Sequence, residues 1–171
     1  VPQRAVLFNE TVNSNIRYGE AMEEISDKKI VEAARVAQAD EFISKMDEGY
    51  ESHIAQGGTN VSGGQKQRLA IARAIAKNPE IYIFDDSFSA LDYKTDAVLR
   101  SELKKYTKDA TSLIVAQRIG TIMNADKIIV LDNGESVGVG THKELLKSCE
   151  VYKQIALSQL SKEELDNAKA K

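Results

Sequence analysis

Two short runs of residues in this sequence could do phosphate chemistry. The first is Ser62-Gly63-Gly64-Gln65, at the start of a predicted helix. Ser62 and Gln65 have the S-x-x-Q spacing of a capping box, and the glycines would let a backbone or a phosphate approach closely. A helix N-terminus presents unpaired N–H groups and the positive end of the dipole, which attract anions. Local physics alone nevertheless favours a simpler interpretation, a glycine-rich cap without a ligand.

The second run is Asp85-Asp86, which directly follows the apolar residues 81–84. A short and fully apolar run predicts a strand buried on both faces, as in a parallel sheet. Ligands bind at the carboxyl ends of such strands, where an ionised carboxylate suits Mg²⁺ held through water. The alternative role for Asp85, a turn or helix-capping aspartate, fits this strand-end position less well.

The elements that must position these residues are predicted from periodicity and turn chemistry. Helices are expected at 11–18, 26–38, 40–46, 62–77, 95–106 and 119–123, with a further one opened by the T-x-x-E capping box at 141–144. Strands are expected at 81–84, 111–116, 127–131 and 135–139, the last two joined by an Asn-Gly turn. Residues 47–60 are turn-like, and a polar tail from Ser161 is expected to be a frayed helix.

Composition bounds the class of protein. With 171 residues, 42% apolar and 29% charged, the chain can bury a globular core. The net charge of −3 and the scattered basic residues do not suggest a nucleic-acid footprint, and no nucleic-acid partner is expected. No apolar run approaches the roughly 20 residues that cross a bilayer, and the first residues do not resemble a signal peptide. A single cysteine, Cys149, excludes a disulfide scaffold, indicates a reducing compartment and is expected to be structural.

The segment VSGGQKQRLAIARAI at 61–75 closely resembles the signature motif of ABC ATPases. Other segments resemble further motifs of that family in the correct order: VPQ at 1–3 the Q-loop, LFNETVNSNIRYG at 7–19 the exporter version of the segment after the Q-loop, IYIFDD at 81–86 the Walker B strand, SALD at 89–92 the D-loop, LIVAQR at 113–118 the H-loop region, and ADKIIVLDNGESVGVGTHKELL at 125–146 the usual ending. The resemblance covers nearly the whole chain, and so many motifs in one order do not arise by chance.

The resemblance implies an α/β fold, a P-loop NTPase (RecA-like) core that lacks its first strands, with an ABC α-helical subdomain. The implied division is a Q-loop remnant at 1–3, a helical signature subdomain at 4–77, a partial RecA-like core at 78–145, and C-terminal helices and tail at 146–171. The G-x-x-x-x-G-K-[ST] phosphate loop does not occur in the sequence. Since the family carries it upstream of the Q-loop, the chain is expected to be N-terminally truncated and, on its own, inactive.

The resemblance also implies ATP and Mg²⁺ as cofactors and a head-to-tail dimer with a second ABC ATPase domain. Residues 62–65 would contact the γ-phosphate of a nucleotide held by that partner. Asp85 would hold Mg²⁺, and Gln3, unless it is only a surface glutamine, would sense the γ-phosphate or the metal. Asp92 would belong to the nucleotide site or cap the following helix; both interpretations carry equal weight and they are compatible.

Two catalytic positions depart from the family pattern. Asp86 stands where the family usually has a glutamate that polarises the attacking water, and a side chain that misses by about 1 Å can cost on the order of a hundredfold in rate. Gln117 stands where the family usually has a histidine, and glutamine cannot carry a proton charge. These replacements resemble the degenerate half of a heterodimeric ABC exporter. In a smaller departure, Gln56 stands where exporters often have an acidic residue that faces the transmembrane part.

The implied function is ATP-driven transport, with export favoured, by a domain at the cytoplasmic face of the membrane that works with the transmembrane domain of the same transporter. One alternative is a non-hydrolytic clamp that ATP binding closes. Another is an ABC ATPase without a membrane domain, against which the exporter-like residues 7–19 and the absence of heptads argue. His53 and His142 match no catalytic position, and His142 is expected to be solvated.

Overall fold

The computed structural model describes residues 1–19 and 25–160. They divide into a unit formed by Val1–Val115 and a second unit that begins at Ala116. Each unit has its own hydrophobic core. The tail from Ser161, expected as a frayed helix, lies outside the described residues.

Four helices of the first unit precede its strands: α1 at Val12–Arg17, α2 at Asp27–Val36, α3 at Asp40–Ile43 and α4 at Gly63–Lys77. The hydroxyls of Thr11 and Ser26 accept hydrogen bonds from backbone N–H groups three residues on, which fixes the starts of α1 and α2. The apolar face of α4 is buried and packs against α1 and α2. The predicted helix at 40–46 is shorter than expected, and the turn-like stretch 47–60 contains 3₁₀ turns at Gly49–Glu51 and Gln56–Gly58.

Two parallel strands follow, β1 at Ile81–Asp85 and β2 at Thr111–Val115, connected through helix α5 at Tyr93–Tyr106. The parallel pairing confirms the prediction from the apolar runs. The expectation that β1 is buried on both faces is wrong for this chain: the side chains alternate, so that Tyr82 and Phe84 are buried while Ile81 and Ile83 are 61% and 54% exposed. The reason is that the helices of this unit cover only one face of the two-stranded sheet.

The second unit consists of helix α6 at Ile119–Ile122, strands β3 at Ile128–Asp132 and β4 at Glu135–Gly140, and helices α7 at His142–Ser148 and α8 at Glu150–Gln159. The strands form an antiparallel hairpin. Its turn residues, Asn133 and Gly134, both have positive φ, 48° and 84°, as an Asn-Gly hairpin turn requires. The predicted hairpin and the predicted T-x-x-E capping box at Thr141 are both confirmed.

His142 is the clearest correction in this unit. The sequence places it just after a helix cap, where a histidine would be solvated, yet only 6% of it is exposed. Its Nδ1 lies 2.7 Å from the hydroxyl of Tyr152, and burial lowers the pKa of His142. Helix α8 packs back on α7 and covers the ring, a tertiary contact that the capping pattern does not reveal. Cys149, as expected, is a buried core residue.

None of the helices in the described part of the chain has the length and hydrophobicity that a membrane span requires.

Candidate functional site

The carboxyl end of β1 carries the two predicted acidic site residues. Asp85 is the last residue of the strand and is exposed. Asp86 follows with a φ of +43°, the left-handed region, and its N–H donates to the carbonyl of Val115 at 2.9 Å. Aspartate tolerates this conformation better than most residues. The left-handed conformation is still uncommon outside glycine, and it concentrates at functional sites. The backbone thus turns sharply where the carboxylates leave the sheet.

Asp85 and Asp86 at the end of β1 form an acidic corner, and Gln3 contacts it. Its Nε2 donates to Oδ2 of Asp86 at 3.3 Å, so the structure brings these two predicted site residues together. The segment is positioned by Val1, whose N–H and carbonyl pair with Ile83 and Asp85 on the side of β1 opposite to β2. The hydroxyl of Ser87 also donates to the Val1 carbonyl, at 2.8 Å.

A buried glutamine connects the same segment to α4. The side chain of Gln67, which is 2% exposed, donates to the Pro2 carbonyl at 3.0 Å. Gln67 lies two residues after the Ser62-Gly63-Gly64-Gln65 run, so this hydrogen bond connects the first turns of α4 to the segment that carries Gln3. Neither periodicity nor spacing signals this contact.

The predicted capping box at the start of α4 is confirmed. The N–H of Gln65 donates to Oγ of Ser62 at 3.2 Å, and the N–H of Ser62 donates to Oε1 of Gln65 at 2.8 Å. No acceptor among the described residues reaches the N–H groups of Gly63 and Gly64. A Cβ built on Gly63 would meet no described atom within 4 Å. The helix start is therefore open on the side that an anion would use.

Gly64 faces the SALD segment instead. A Cβ built on Gly64 would lie 3.3 Å from the carbonyl oxygen of Ala90 and 3.8 Å from Cδ2 of Leu91. The second glycine of the run is thus needed where the 89–92 segment approaches the helix. Asp92 caps α5, since the N–H of Thr95 donates to its Oδ1 at 3.0 Å. Hydrogen bonds from the side chain and the backbone N–H of Thr95 lower the pKa of Asp92. The capping role is confirmed, and a nucleotide role remains a prediction.

Arg68 braces the start of α4 from behind. Its guanidinium donates to the carbonyls of Gly64 and Gln38, at 3.3 and 2.6 Å, and lies 4.8 Å from the ring centre of Phe42. Burial lowers the pKa of Arg68, and the carboxylates of Asp92 and Glu41 oppose that shift. Arg68 thereby ties the glycine run to the end of α2 and to the charge that caps α5.

Gln117 belongs to the second unit and is exposed. Its backbone, rather than its side chain, is held: the carbonyl of Gln117 accepts from Nε2 of Gln159 at 2.9 Å, and the N–H of Ile119 donates to Oε1 of Gln159 at 2.8 Å. No sequence pattern singles out Gln159, because a glutamine at the end of an amphipathic helix has no distinguishing spacing.

The segment that follows Gln3 is built on two residues that the sequence patterns also did not single out. Asn15, 1% exposed, accepts from the N–H of Phe8 and donates to the carbonyls of Phe8 and Thr11. Arg73 of α4 donates to both the carbonyl and Oδ1 of Asn15, at 2.7 and 3.1 Å, and its guanidinium lies 5.2 Å from the ring centre of Phe8. The carbonyl of Val6 accepts a further bond from Arg73. Arg73 is half-buried on α4, and no sequence pattern signals this network.

The acidic corner offers part of what a magnesium ion needs. No group of three or more His, Cys, Asp or Glu side chains that could hold a metal alone occurs within residues 1–19 and 25–160. The exposed carboxylate of Asp85 and the side-chain oxygen of Gln3 are the hard oxygen donors that Mg²⁺ prefers. Since Mg²⁺ is usually bound through one or two protein oxygens together with phosphates and water, these residues fit a magnesium–nucleotide complex better than a bare ion.

Known proteins resemble this chain in sequence and in structure. The sequence profile described as ABC transporter matches residues 1–89. An uncharacterized ABC transporter ATP-binding protein of Mycobacterium tuberculosis is 49% identical over 160 residues, which are 93% of this chain and 27% of that protein. A Staphylococcus aureus protein named as a candidate multidrug export ATP-binding/permease protein is 43% identical over 91% of this chain and 26% of its own length.

A solved structure agrees with these sequence relatives. The structure of a bacterial Atm1-family ABC exporter with ATP bound superposes with a TM-score of 0.88 at 37% identity, covering 94% of this chain and 28% of that one. The chain thus spans about a quarter of the length of the proteins it matches. The motif order, the helical layer carrying the glycine run and the parallel strands ending in acidic residues are all accounted for by one conclusion: this chain belongs to the ABC transporter family and has the fold of its ATPase domain.

Proposed function

We propose that this chain is the ATP-binding and ATP-hydrolysing domain of an ABC exporter, and that residues 62–65 complete an ATP site built on a second ATPase domain. The observation that carries the proposal is the open start of α4, where the N–H groups of Gly63 and Gly64 have no acceptor among the described residues. Two adjacent N–H donors at the positive end of a 15-residue helix stabilise the charge of a transferring phosphoryl group. The hydroxyl hydrogen of Ser62 would add a third donor.

The acidic corner is proposed to serve the nucleotide site of this chain itself. Bound Mg²⁺ would neutralise phosphate charge there; Asp85 and Gln3 are the residues that would hold it. Asp86 would orient the water that attacks the γ-phosphate. In that reaction the water oxygen forms a bond to phosphorus, the bond to the ADP oxygen breaks, and the water protons pass to phosphate and solvent. The short carboxylate of Asp86, already engaged by Gln3, aligns this water poorly.

Gln117 would add to that deficiency, because an amide orients a phosphate or a water by hydrogen bonds but takes no proton. We therefore propose a heterodimer in which the ATP site of this chain hydrolyses ATP slowly and the partner's site, completed by residues 62–65 of this chain, carries the turnover. The partners of the domain would be that second ATPase domain and a transmembrane domain, and the chain would then lie at the cytoplasmic face of the membrane. The S. aureus relative's name joins ATP-binding and permease functions, which supports this assignment.

The first test exploits two matched helix caps in the full-length protein assembled with its partner. Ser62 and Thr141 both begin a helix through a capping box. Replacing either by alanine removes a cap and costs about 1 kcal/mol of stability. Only Ser62→Ala is expected to reduce ATP turnover, by about a hundredfold, the scale of losing a donor to the transition state. Equal turnover in Ser62→Ala and Thr141→Ala would contradict the proposed role of the glycine run.

The second test addresses the slow site. Replacing Asp86 by Glu and Gln117 by His together is expected to add a second active site, about doubling the turnover per dimer. Unchanged turnover would contradict the degenerate-site proposal. It would then favour the second candidate, a clamp that Mg-ATP closes without hydrolysis at this site, which the replacements at Asp86 and Gln117 also support. In that case, light scattering would measure whether Mg-ATP drives dimerisation although this site does not hydrolyse it.

The isolated chain provides a third test. Its sequence contains no G-x-x-x-x-G-K-[ST] loop, and that loop supplies the N–H cradle and the lysine for phosphates. We expect a calorimetric titration of the 171-residue chain with Mg-ATP to give no saturable binding. Saturable binding would require a phosphate site elsewhere in the chain and would overturn the residue roles proposed above.

A further inference from the structure

The backbone around Gln117 is held by a side chain that lies 42 residues away in sequence. Gln159 donates from Nε2 to the carbonyl of Gln117 at 2.9 Å and accepts at Oε1 from the N–H of Ile119 at 2.8 Å. Only this orientation of the amide satisfies both partners, because the carbonyl accepts and the N–H donates. The Gln159 side chain therefore bridges the backbone groups of the residues before and after Arg118, the carbonyl of Gln117 and the N–H of Ile119.

The packing of α8 explains why Gln159 reaches this loop. Tyr152, Ala156 and Gln159 are spaced by four and three residues, which places them on one face of the helix. Tyr152 and Ala156 are buried in the same cluster as Ile119, the first residue of α6. This burial fixes the face of α8 on which Gln159 lies, so the position of Gln159 next to the loop is set by the packing of the helix.

Gln159 itself is exposed, so its two hydrogen bonds are not needed to satisfy a buried amide. An exposed glutamine can be hydrated at no cost; the groups that gain are the backbone carbonyl and N–H of the loop, which acquire a fixed position. A loop of three residues, 116–118, connects the end of β2 to α6. Fixing its backbone at two points fixes the direction in which the side chain of Gln117 leaves it.

We propose that Gln159 is a positioning residue for Gln117: through the two backbone groups it holds, helix α8 sets the position of the side chain that stands at the nucleotide-sensing position. This inference rests on the proposed function for the role of Gln117, but the bridge itself does not. Gln159 touches the loop and not the nucleotide, and it acts by keeping the Gln117 side chain in one place. The integrity of α8 then controls the catalytic loop of the same unit.

The experiment uses three variants of the full-length protein assembled with its partner, each made both in the natural background and with Asp86→Glu and Gln117→His. Gln159→Ala removes both hydrogen bonds. Gln159→Glu has the same shape and still accepts from the N–H of Ile119, but its carboxylate cannot donate to the Gln117 carbonyl and repels it. Gln154→Ala is the control, an exposed glutamine on the same helix.

Amide hydrogen exchange tests the bridge without any assumption about catalysis. Exchange at Ile119 is expected to accelerate about tenfold in Gln159→Ala and to stay protected in Gln159→Glu and Gln154→Ala. Equal exchange at Ile119 in Gln159→Ala and Gln154→Ala would overturn the proposal. Accelerated exchange spread over Tyr152 and Ala156 as well would also overturn it, because the substitution would then act by loosening α8 as a whole.

Steady-state kinetics test the positioning role. In the background with Asp86→Glu and Gln117→His, both Gln159 variants are expected to lower kcat at the added site about tenfold while the KM for ATP stays within about twofold, since a displaced loop disturbs alignment rather than binding. A kcat equal to that of Gln154→Ala would overturn positioning. If the double substitution itself adds no turnover, the proposed function fails, and the exchange result alone then decides whether Gln159 holds the loop.

Discussion

The side-chain amide of Gln3 donates to the carboxylate of Asp86 at 3.3 Å, across 83 residues of sequence. The contact joins a residue proposed to sense the metal or the γ-phosphate to one proposed to orient water. It leaves the oxygen of Gln3 available to a cation while one oxygen of Asp86 is engaged. A displacement of either side chain would therefore change the position of the other through this hydrogen bond.

Substitution of Gln3 separates these two roles. In the full-length protein, Gln3→Ala removes both the oxygen and the N–H group, and is expected to weaken Mg²⁺-dependent ATP binding about fivefold, the equivalent of about 1 kcal/mol for one hydrogen-bonding group. Gln3→Glu keeps an oxygen for the metal but loses the donor to Asp86. If Gln3 acts on the metal, the Glu variant binds Mg-ATP at least as well as the natural protein; calorimetry at several Mg²⁺ concentrations measures the difference. Equal losses in both variants would show that the contact with Asp86 is what matters.

The two glycines at the start of α4 are expected to respond differently to alanine. Gly63→Ala meets no described atom within 4 Å and should leave stability unchanged or raise it by about 0.5 kcal/mol, because the unfolded chain loses freedom. Gly64→Ala brings a Cβ to 3.3 Å from the Ala90 carbonyl, so the 89–92 segment must shift by a few tenths of an ångström.

Hydrogen exchange and ATP turnover distinguish these cases. Exchange in residues 89–92 is expected to change in Gly64→Ala only. Turnover is expected to fall in both variants, because the Gly63 methyl group would stand at the open helix start where a phosphate would approach, whereas the Gly64 methyl group would displace the neighbouring 89–92 segment. A Gly63→Ala protein with full turnover would argue against phosphate contact at the start of α4.

Arg73 is expected to be the most sensitive basic residue of the first unit. It serves the carbonyls of Asn15 and Val6 and Oδ1 of Asn15 with one planar group. Arg73→Lys cannot satisfy this fork, and is expected to lower the free energy of unfolding by about 2 kcal/mol. Arg35→Lys is the matched control. Arg35 forms an exposed ion pair with Asp40, and its replacement should change stability by no more than about 0.5 kcal/mol. Chemical denaturation of the two variants gives the comparison.

His142 predicts a pH dependence in the second unit. Burial lowers its pKa in the folded state, so the unfolded state binds the proton more readily. The neutral ring therefore contributes its full stability above the unfolded pKa of about 6.5, and this contribution is lost as the pH falls from there towards the folded pKa. His142→Asn keeps a polar atom near Tyr152 but does not titrate. The difference in unfolding free energy between the natural protein and this variant should shrink as the pH is lowered from about 7.5 to about 5.5, a range that spans the unfolded pKa; a constant difference would contradict the assignment.

Local patterns were sufficient for several elements. The S-x-x-Q and T-x-x-E capping boxes predicted the starts of α4 and α7, and the Asn-Gly pair predicted the hairpin turn. These features succeed because each is decided by hydrogen bonds and dihedral preferences within four or five consecutive residues. Motif order along the chain was enough to identify the family, since it needs no knowledge of contacts.

Contacts between distant residues could be decided only by the tertiary structure. The burial of His142 depends on α8 folding back over α7, and the exposure of Ile81 and Ile83 depends on which face of β1 the helices cover. The pairing of Gln3 with Asp86 and of Gln159 with the Gln117 loop joins residues 83 and 42 positions apart. Periodicity describes which face of an element is apolar, but not which polar side chain will meet a given backbone group, because that is set by how whole elements pack.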